Sequence, residues 1–437
     1  MTTTVTRQRT DAVAGGERVA SPEGNGFATE RATLVHPMHI LMAAPQPIFE
    51  PRGTPLSVVY RIRALCRAGH RVDLLTYPYG RDVRIDGLRI IRVPRVPGVS
   101  GVGIGPSGAK LALDGMMAVR LCALMAARRY DCIWSHEEAG LFCGVASRVT
   151  GVPHVYDMHS DLSQQIKNYG RYATAPIVWA FDALTRSMIH LADVVLTICD
   201  DLVKTIASIA PGKRALLVEN YCTEVDFLDD DVPSADELRA RHRLDDRVTA
   251  LYVGSLEPYQ GIEILIGAAA ALQQRKVPCR MLIVGGRPAQ VNRLRAEVLE
   301  RGIGETVELA GSVPPAAVNA YIDVADMLLT SRSMGTNVPL KLYSYMKSGK
   351  PIVATNIFSH TQLLDDRTAV LADPDGESFA EGIGRMVGDA SLRRRLASNA
   401  RAKADAFSNE SFDLRIEQAL RWVSELNQRR RGSCAGS

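Results

Sequence analysis

The chain has 437 residues, 46% of them hydrophobic, and its 52 Lys and Arg residues against 48 Asp and Glu residues give a formal net charge of +4. This length exceeds one ordinary domain, so we expect two domains that each bury a substantial core. The charges nearly balance, and the basic clusters at 393–395 and 429–431 are short. A nucleic-acid-binding protein would be more basic and its charge more concentrated, so no nucleic-acid partner is expected.

The cysteine pattern and the first residues indicate where the protein works. Eight cysteines are scattered along the chain, and no pair has the spacing of a CxxC or zinc motif, so we expect reduced thiols. No apolar run approaches the length of a membrane span, and the N-terminus lacks the apolar core of a signal peptide. We therefore expect a cytoplasmic protein. Residues 1–36 have no periodicity and are predicted to be a disordered leader.

Strand-like and helix-like segments alternate from His39 onward. Strands are expected at 39–45, 71–77, 89–94, 132–137, 154–159, 194–198 and 215–220. The helices expected between them include 55–66, 109–127 and a long helix that ends near residue 192. Strands that are almost entirely apolar and alternate with helices are typical of a parallel sheet covered on both faces. Residues 37–220 are therefore predicted to form an N-terminal Rossmann-like domain.

A second alternating region follows an interruption. Residues 221–247 contain an acidic run and a Pro-Ser pair and are predicted to be a linker region. Strands are then expected at 249–255, 280–286, 306–312, 327–331, 351–355 and 369–374. Residues 248–409 should form a second Rossmann-like domain, and 410–437 a helix that returns toward the N-terminal domain, with a tail. The predicted fold class is α/β, with two doubly wound domains facing a central cleft that binds ligand.

Glycine-containing turns occur at the strand ends that would face this cleft. The three turns are Gly53-Thr54, Gly254-Ser255 and Gly285-Gly286. Each one alone is typical of an ordinary strand-to-helix connection, whereas together they favour an edge that binds phosphate. None fits the GxGxxG fingerprint or a Walker loop, so neither a dinucleotide nor a P-loop nucleotide is indicated.

The segment GTNVPLKLYSYMKSGKPIVAT, residues 335–355, contains a lysine in an unusual place. Pro339 is suited to the first turn of a helix and Gly349 to its end, so Lys341 is predicted in the first turn. The helix dipole disfavours a cation there unless an anion binds at the same position. Lys341 therefore predicts an anion site, and a lysine on a solvated helix face is the alternative.

Several sequence blocks resemble, in their order and spacing, the GT-B glycosyltransferases of retaining family 4. Besides residues 335–355, the blocks are GTPLSVVYRIRALCRAGHRVDLLT, HVYDMHS, VGSLEPYQGIEILI, LIVGG and VELAGSVPPAAVNAYIDVADMLLTSRS. The resemblance runs from about residue 39 to residue 407. It implies transfer of a sugar, with retention, from a UDP- or GDP-linked donor held by the C-terminal half to an acceptor held by the N-terminal half. No metal-ligand motif is present, so no metal or other cofactor is expected.

The resemblance also implies roles for individual residues. Lys341 would contact the donor diphosphate, and His159 would reach the donor sugar across the cleft; His136, in WSHEE, is the competing histidine. These roles make Lys341 and His159 the candidate catalytic residues. The candidate donor-binding residues are Gly53, Thr54, Gly254, Ser255, Gln260, Gly285, Gly286, Arg332, Thr336, Asn337, Leu340 and Ser344.

The chain departs from the family at three of these positions. Thr336 and Ser344 stand where the family usually has two glutamates, and Gln260 stands where it often has a lysine on the diphosphate. Further positive charge would have to come from Arg332, Arg287 or Arg52. An active glycosyltransferase is favoured, and the alternative is a catalytically weak or inactive protein that binds a nucleotide sugar or a partner. A sugar-nucleotide epimerase is a less favoured third reading.

The acceptor is not assigned by any motif, and glycans, lipid-linked sugars and small molecules all remain open. The expected helix 109–129 mixes Leu and Met with Lys110, Arg120, Arg128 and Arg129. Such a helix could contact an anionic bilayer at the inner face of the membrane. The commoner alternative is an amphipathic helix packed on its own sheet.

Overall fold

A computed structural model describes residues 36–49, 53–98, 101–102, 107–167, 174–221 and 232–434. The predicted leader lies outside the described residues except for residue 36, and so does Arg52. None of the helices in the described ranges combines the length and the apolar composition needed to cross a membrane.

The N-terminal unit is built on a seven-stranded sheet. Its strands are β1 (His39–Ala44), β2 (Arg71–Thr76), β3 (Leu88–Arg92), β4 (Cys132–His136), β5 (His154–Met158), β6 (Val194–Thr197) and β7 (Arg214–Leu217). All pairs are parallel, and the spatial order is β3-β2-β1-β4-β5-β6-β7. The five inner strands are largely buried because their residues are mostly apolar on both faces, as the sequence predicts, whereas the edge strands β3 and β7 are half-buried.

Helices cover both faces of this sheet. They are α1 (Gly53–Arg67), α2 (Gly108–Ala127), α3 (Ala139–Thr150), α4 (Leu162–Lys167), α5 (Ala175–Leu191) and α6 (Asp200–Ile209). Helix α1 packs into one apolar core of the unit, and α2 and α3 pack into another on β1, β2 and β4. The long helix expected to end near residue 192 is α5, and the short α4 precedes it.

The C-terminal unit repeats this arrangement with six strands. These are β8 (Val248–Val253), β9 (Cys279–Val284), β10 (Val307–Gly311), β11 (Met327–Thr330), β12 (Ile352–Thr355) and β13 (Val370–Ala372). They are all parallel, in the order β10-β9-β8-β11-β12-β13. The predicted fold class, α/β with two Rossmann-like units, is therefore confirmed.

Eight helices belong with this second sheet. They are α7 (Ala235–Arg241), α8 (Ile262–Gln274), α9 (Pro288–Glu300), α10 (Val318–Val324), α11 (Lys341–Lys347), α12 (Phe358–Thr361), α13 (Gly376–Gly388) and α14 (Ala390–Ala404). Helix α7 begins with a capping box formed by Ser234 and Glu237. His242, which follows it, contacts Tyr321 Oη at 3.0 Å on α10. The second part of the expected linker region thus packs on the C-terminal unit, while 222–231 lies outside the described residues.

The last helix, α15 (Asn409–Cys434), lies against the N-terminal unit. Its apolar residues Phe412, Ile416, Leu420 and Val423 are buried in the same core as α1. Asp413 forms an ion pair with Arg67 of α1 at 2.8 Å. The chain therefore leaves the N-terminal unit after β7 and returns to it after α14.

Burial on α15 leads to a stability prediction. Leu420 is fully buried, whereas Leu414, six residues earlier, is 58% exposed. Leu420→Ala should lower the free energy of unfolding by about 2–5 kcal/mol, because it removes buried methyl groups and leaves a cavity. Leu414→Ala should change it by less than about 0.5 kcal/mol. Urea denaturation of the three proteins measures both values, and equal effects would contradict the packing of α15.

Candidate active site

Glycines bring three segments of the C-terminal unit together at the carboxyl ends of β8 and β9. Gly285 has a φ of +120°, and a Cβ there would lie 1.9 Å from the carbonyl oxygen of Gly254. A Cβ on Gly254 would lie 3.3 Å from Lys341 Nζ and 2.8 Å from Tyr252 Oη. Only glycine permits both approaches. The two predicted glycine turns and the predicted lysine therefore lie side by side.

Lys341 is the first residue of α11, so the expectation that Pro339 opens this helix is wrong by two residues. Pro339 and Leu340 form the turn that precedes it, and the helix ends near Gly349, which has a φ of +69°. Lys341 Nζ donates a hydrogen bond to the carbonyl oxygen of Val253 at 3.3 Å. It also lies 4.1 Å from the centroid of the Tyr252 ring. The side chain thus points at the end of β8 rather than into solvent.

Arg332, which follows β11, is the second cation of this site. Burial, and then the nearby Arg332 guanidinium, lowers the pKa of Lys341 to about 7. Burial also lowers the pKa of Arg332, whose Nη1 donates to the carbonyl oxygen of Asn337 at 2.7 Å. Neither cation forms an ion pair with a carboxylate of the described residues. Two partly desolvated cations without a counter-ion are suited to binding a multiply charged anion.

The other predicted residues of the β8 turn surround the same ring. Tyr252 Oη donates to the carbonyl oxygen of Ser255 at 2.9 Å and lies 3.5 Å from Gln260 Oε1. The backbone carbonyl of Gln260 accepts from Ser331 Oγ at 2.9 Å. Gln260 is therefore close to Tyr252, on whose ring Lys341 rests. Gly286, with a φ of +89°, packs closely against the side chain of Leu256.

The loop before α11 connects the two units. Asn337 Nδ2 donates to the backbone carbonyl of His159 at 2.8 Å, and the carbonyl of Thr336 accepts from Gln362 Nε2 at 2.5 Å. Ser344 lies within α11 and is half-buried. Arg332 donates to the backbone carbonyl of Asn337. Asn337 therefore joins the cationic site to His159, the predicted catalytic histidine.

On the N-terminal unit, the two competing histidines contact each other. His136 ends β4, and His159 follows β5, the next strand of the sheet. His136 Nδ1 and His159 Nε2 are 3.0 Å apart. Asp157 lies 3.7 Å from His136 Nδ1 and 3.5 Å from His159 Nε2, and its Oδ2 accepts from Arg61 Nε at 2.8 Å. The two histidines are therefore parts of one buried cluster.

Burial decides the charge of each group in this histidine cluster. It lowers the pKa of His136 to about 3 and that of His159 to about 4, so both imidazoles are neutral at pH 7. Burial alone would raise the pKa of Asp157, but the Arg61 guanidinium outweighs it and holds that pKa below its usual range. His159 Nδ1 has no hydrogen-bond partner. A neutral imidazole with a free ring nitrogen can bond a hydroxyl group.

This cluster also has the spacing of a metal site, since ligand atoms of His136, Asp157 and His159 lie within 4.8 Å of one another. The guanidinium of Arg61 is already bonded to Asp157, however, and supplies the positive charge that a metal ion would bring. The side chains present thus fit a neutral histidine pair on an Arg–Asp ion pair better than a cation site.

Glu137 is a feature that the sequence reasoning missed. It follows His136, has a φ of +50°, and is 9% exposed. Its carboxylate accepts from Thr54 Oγ1 at 3.2 Å and from Ser160 Oγ at 3.3 Å. Burial and then Glu138 raise its pKa to about 7. The sequence feature that could have indicated Glu137 is the pair of glutamates that directly follows an apolar strand. Thr54, its hydrogen-bond partner, lies in the first turn of α1, which begins at Gly53.

Arg287 lies three residues after the end of β9 and is already paired with a carboxylate. It is 73% exposed at its side chain and forms an ion pair with Glu257 at 2.9 Å. Of the three predicted cations that the structure describes, Lys341 and Arg332 are the two without a carboxylate partner among the described residues.

Comparison with known proteins agrees with this architecture. The protein-family model "Glycosyl transferases group 1" matches residues 234–403, and the family model "Glycosyl transferase 4-like domain" matches residues 53–220. The chain is 28% identical to an alpha-D-kanosaminyltransferase of Streptomyces kanamyceticus, over 83% of this chain and 93% of the relative. It is 30% identical to a D-inositol 3-phosphate glycosyltransferase of Acidothermus cellulolyticus, over 81% and 82% of the two chains.

Solved structures show the same fold. Sucrose-phosphate synthase from Thermosynechococcus elongatus superposes with a TM-score of 0.71 at 21% identity, covering 89% of this chain and 99% of the other. HepE from Anabaena, in complex with UDP-glucose, superposes with a TM-score of 0.65 at 17% identity, covering 88% of this chain and 99% of HepE. Two Rossmann-like units, each built on a parallel sheet, are the fold that these GT-B neighbours share with the chain. The chain belongs to the glycosyl transferases group 1 family.

The lowered pKa of Lys341 predicts a pH effect on the unliganded protein. Its pKa is about 7 when folded, below the ordinary value of about 10.4 for an unfolded lysine. Between these values the unfolded chain binds a proton that the folded chain releases, so stability rises with pH. Lys341→Met should therefore be more stable than the parent at pH 6, and the difference should shrink toward pH 10.

Denaturant titrations across that pH range measure this difference. The matched control is Lys204→Met, which replaces an exposed lysine on α6 and should leave the pH dependence of the parent intact. A parent and a Lys341→Met variant whose stabilities run parallel from pH 6 to pH 10 would contradict the buried, destabilised cation.

Proposed function

We propose that this glycosyltransferase moves a sugar from a UDP- or GDP-linked donor to an acceptor hydroxyl, with retention and without a metal ion. The observation that carries the proposal is the Lys341–Arg332 pair, two cations without a carboxylate partner beside the glycine contact of Gly254 and Gly285. A diphosphate supplies the negative charge that both cations lack, and backbone groups at the glycines allow its close approach.

His159 is proposed to bond the donor sugar from the other unit. Its neutral imidazole has Nδ1 free, and its backbone carbonyl is bonded to Asn337, which also contacts Arg332. A sugar linked to a diphosphate at Arg332 would thus lie within reach of His159. Asn337 is proposed to set this separation, because it touches both the cationic loop and the histidine segment.

The reaction breaks the bond between the anomeric carbon and the donor diphosphate and forms a bond from that carbon to the acceptor oxygen on the same face. The acceptor proton passes to the departing diphosphate, which acts as the base. Lys341 and Arg332 stabilise the negative charge that grows on the diphosphate, a role that a divalent cation fills in other enzymes. A chelator should therefore leave turnover unchanged.

The relatives guide the choice of substrates. One is named an alpha-D-kanosaminyltransferase and another a D-inositol 3-phosphate glycosyltransferase, and HepE was solved in complex with UDP-glucose. Incubation with a panel of UDP- and GDP-sugars, with and without D-inositol 3-phosphate, tests the proposal. Consumption of one donor supports transfer, whereas thermal stabilisation by a donor without its consumption indicates the binding protein suggested by Thr336 and Ser344. Donor interconversion without an acceptor would indicate an epimerase.

We also propose a cytoplasmic location, since the described cysteines are free of disulfides and reduced thiols are typical of that compartment.

Donor binding should depend on pH through Lys341. With a pKa of about 7 in the free protein, Lys341 must take up a proton as the diphosphate binds. UDP affinity should therefore fall as pH rises from 6 to 9, by at most about tenfold per pH unit. Lys341→Met should lower the affinity for UDP by about one to two orders of magnitude at pH 6, because it removes a charge-assisted contact worth roughly 1.5–3 kcal/mol.

Calorimetric titration with UDP and GDP measures this effect and the proton uptake. The matched variant Lys341→Arg keeps its charge at every pH and should flatten the profile. Uridine, which lacks the diphosphate, should bind parent and variants alike. If the parent and Lys341→Met proteins had the same UDP affinity at pH 6, Lys341 would not contact the diphosphate as proposed.

Replacement of His159 should separate chemistry from folding. His159→Ala should lower kcat at least about tenfold while UDP affinity changes little, because the histidine is proposed to contact the sugar and not the nucleotide. His154→Ala is the control. His154 is also a buried histidine, but it lies at the opposite end of β5, where its side chain is hydrogen-bonded to Ser135 of β4. That variant should lose stability and keep its kcat. A His159→Ala protein that loses stability but keeps full turnover would make His159 structural.

A further inference from the structure

Helix α2 exposes an unusually apolar surface. Ten of its residues are exposed, and Arg120 is the only charged one among them; the others are Gly, Ala, Val, Leu and Cys. Leu111 and Val119 are 76% and 73% exposed. The opposite side of the helix buries Leu113, Met117 and other residues in the core of the N-terminal unit. An exposed helix face that is this apolar usually marks a surface that something else covers.

The neighbouring helices extend this surface. On α3, which contacts α2, the side chains of Leu141, Val145 and Val149 are exposed at a spacing of four residues, along one line of the helix. On α5, which contacts α3, Trp179 is 72% exposed. Six of the eleven large hydrophobic side chains exposed among the described residues lie on these three helices. Such a concentration marks an interaction surface rather than scattered exposure.

The charges on these three helices and at their ends are mostly positive. Arg120, Arg128, Arg129 and Arg148 are all exposed. Three acidic residues on these helices or at their ends are partly exposed, and each has a partner. Asp182 pairs with Arg186 at 2.7 Å, Asp114 accepts from Tyr77 Oη at 2.6 Å, and Glu138 pairs with Lys110. The apolar surface therefore carries a surplus of arginines.

A groove beside α2 gathers three arginines. It has a volume of about 450 Å³, lies between the edge strand β3 and the second half of α2, and is lined by Arg89, Arg120 and Arg128 among apolar residues. Asp73 lies beneath it, 2.7 Å from Arg89 and 3.7 Å from Arg128, and is 6% exposed. One buried carboxylate is thus set against three guanidinium groups, and no acidic residue lines the groove.

We propose that the exposed faces of α2, α3 and α5 dock on a bilayer that contains anionic phospholipid. The apolar side chains enter the interfacial region, with Trp179 at the level of the headgroups, and the groove at β3 holds a lipid phosphate on its arginines. Charge selects this partner, because an apolar surface fringed by arginines matches a negatively charged bilayer and repels a second positively charged copy of itself. The inference goes beyond the proposed transfer reaction and does not depend on it.

Vesicle flotation with the full chain tests the inference. We compare vesicles of phosphatidylcholine alone with vesicles in which phosphatidylglycerol makes up about one third of the lipid. The parent should float with the anionic vesicles at low salt, bind them less at high salt, and remain largely free with phosphatidylcholine. Two double variants, Val119→Glu with Val145→Glu and Arg120→Glu with Arg129→Glu, should each lower the ratio of bound to free protein at least about tenfold.

Matched controls come from exposed residues of the C-terminal unit. Leu299→Glu replaces a leucine that is 72% exposed on α9, and Arg394→Glu reverses an exposed arginine on α14. Both should bind vesicles as the parent does, and thermal denaturation shows that all variants are folded. The inference is overturned if the parent binds neither vesicle type at low salt, or if the controls lose as much binding as the double variants. A concentration-dependent dimer that Val145→Glu dissociates, without vesicle binding, would assign the surface to a second copy instead.

Discussion

The N-terminal unit depends on the buried ion pair between Arg61 and Asp157. The two residues are fully buried and 2.8 Å apart, and the same guanidinium donates to Asn220 Oδ1 at 2.8 Å and to the carbonyl of Val218 at 3.2 Å. It also lies 5.1 Å from the ring of Phe412. One side chain thus joins α1, β5, the segment after β7 and α15. Because removal of one partner of a buried pair costs about 3–5 kcal/mol, this contact fixes the frame in which His136 and His159 meet.

The two sides of the candidate site are electrostatically different for a physical reason. The C-terminal side keeps Lys341 and Arg332 charged or partly charged in a low-dielectric setting, which costs stability until an anion binds. The N-terminal side keeps two histidines neutral beside a carboxylate that Arg61 already neutralises. The first arrangement favours a charged ligand group and the second favours hydroxyl groups. A sugar joined to a diphosphate presents these two kinds of group in sequence.

Local sequence patterns were sufficient to predict the strands and the general place of Lys341, but not the contacts between distant residues. Apolar runs such as residues 281–284 define buried parallel strands by themselves, and Gly254 and Gly285 lie where strand ends predict a ligand edge. The pairing of His136 with His159, the role of Arg61, and the strained backbone of Glu137 arise only when β4, β5 and α1 are assembled. For α11, the sequence suggested a start at Pro339, whereas the helix begins at Lys341. In α2, apolar residues outnumber the few charged ones so strongly that the sequence could not tell which stripe faces the sheet, and the exposed stripe emerged only from the structure.

The course of the chain between the units has a mechanical consequence. The backbone passes from one unit to the other after Tyr221 and passes back just before Phe412, and the rings of these two residues are in contact, with centroids 4.7 Å apart. The two connections between the units therefore leave the N-terminal unit at neighbouring positions. Because the two crossings are adjacent, we expect the units to open and close about this point more easily than they move in other directions. The hydrogen bond from Asn337 Nδ2 to the backbone carbonyl of His159 joins the two units, so an opening motion would have to break it.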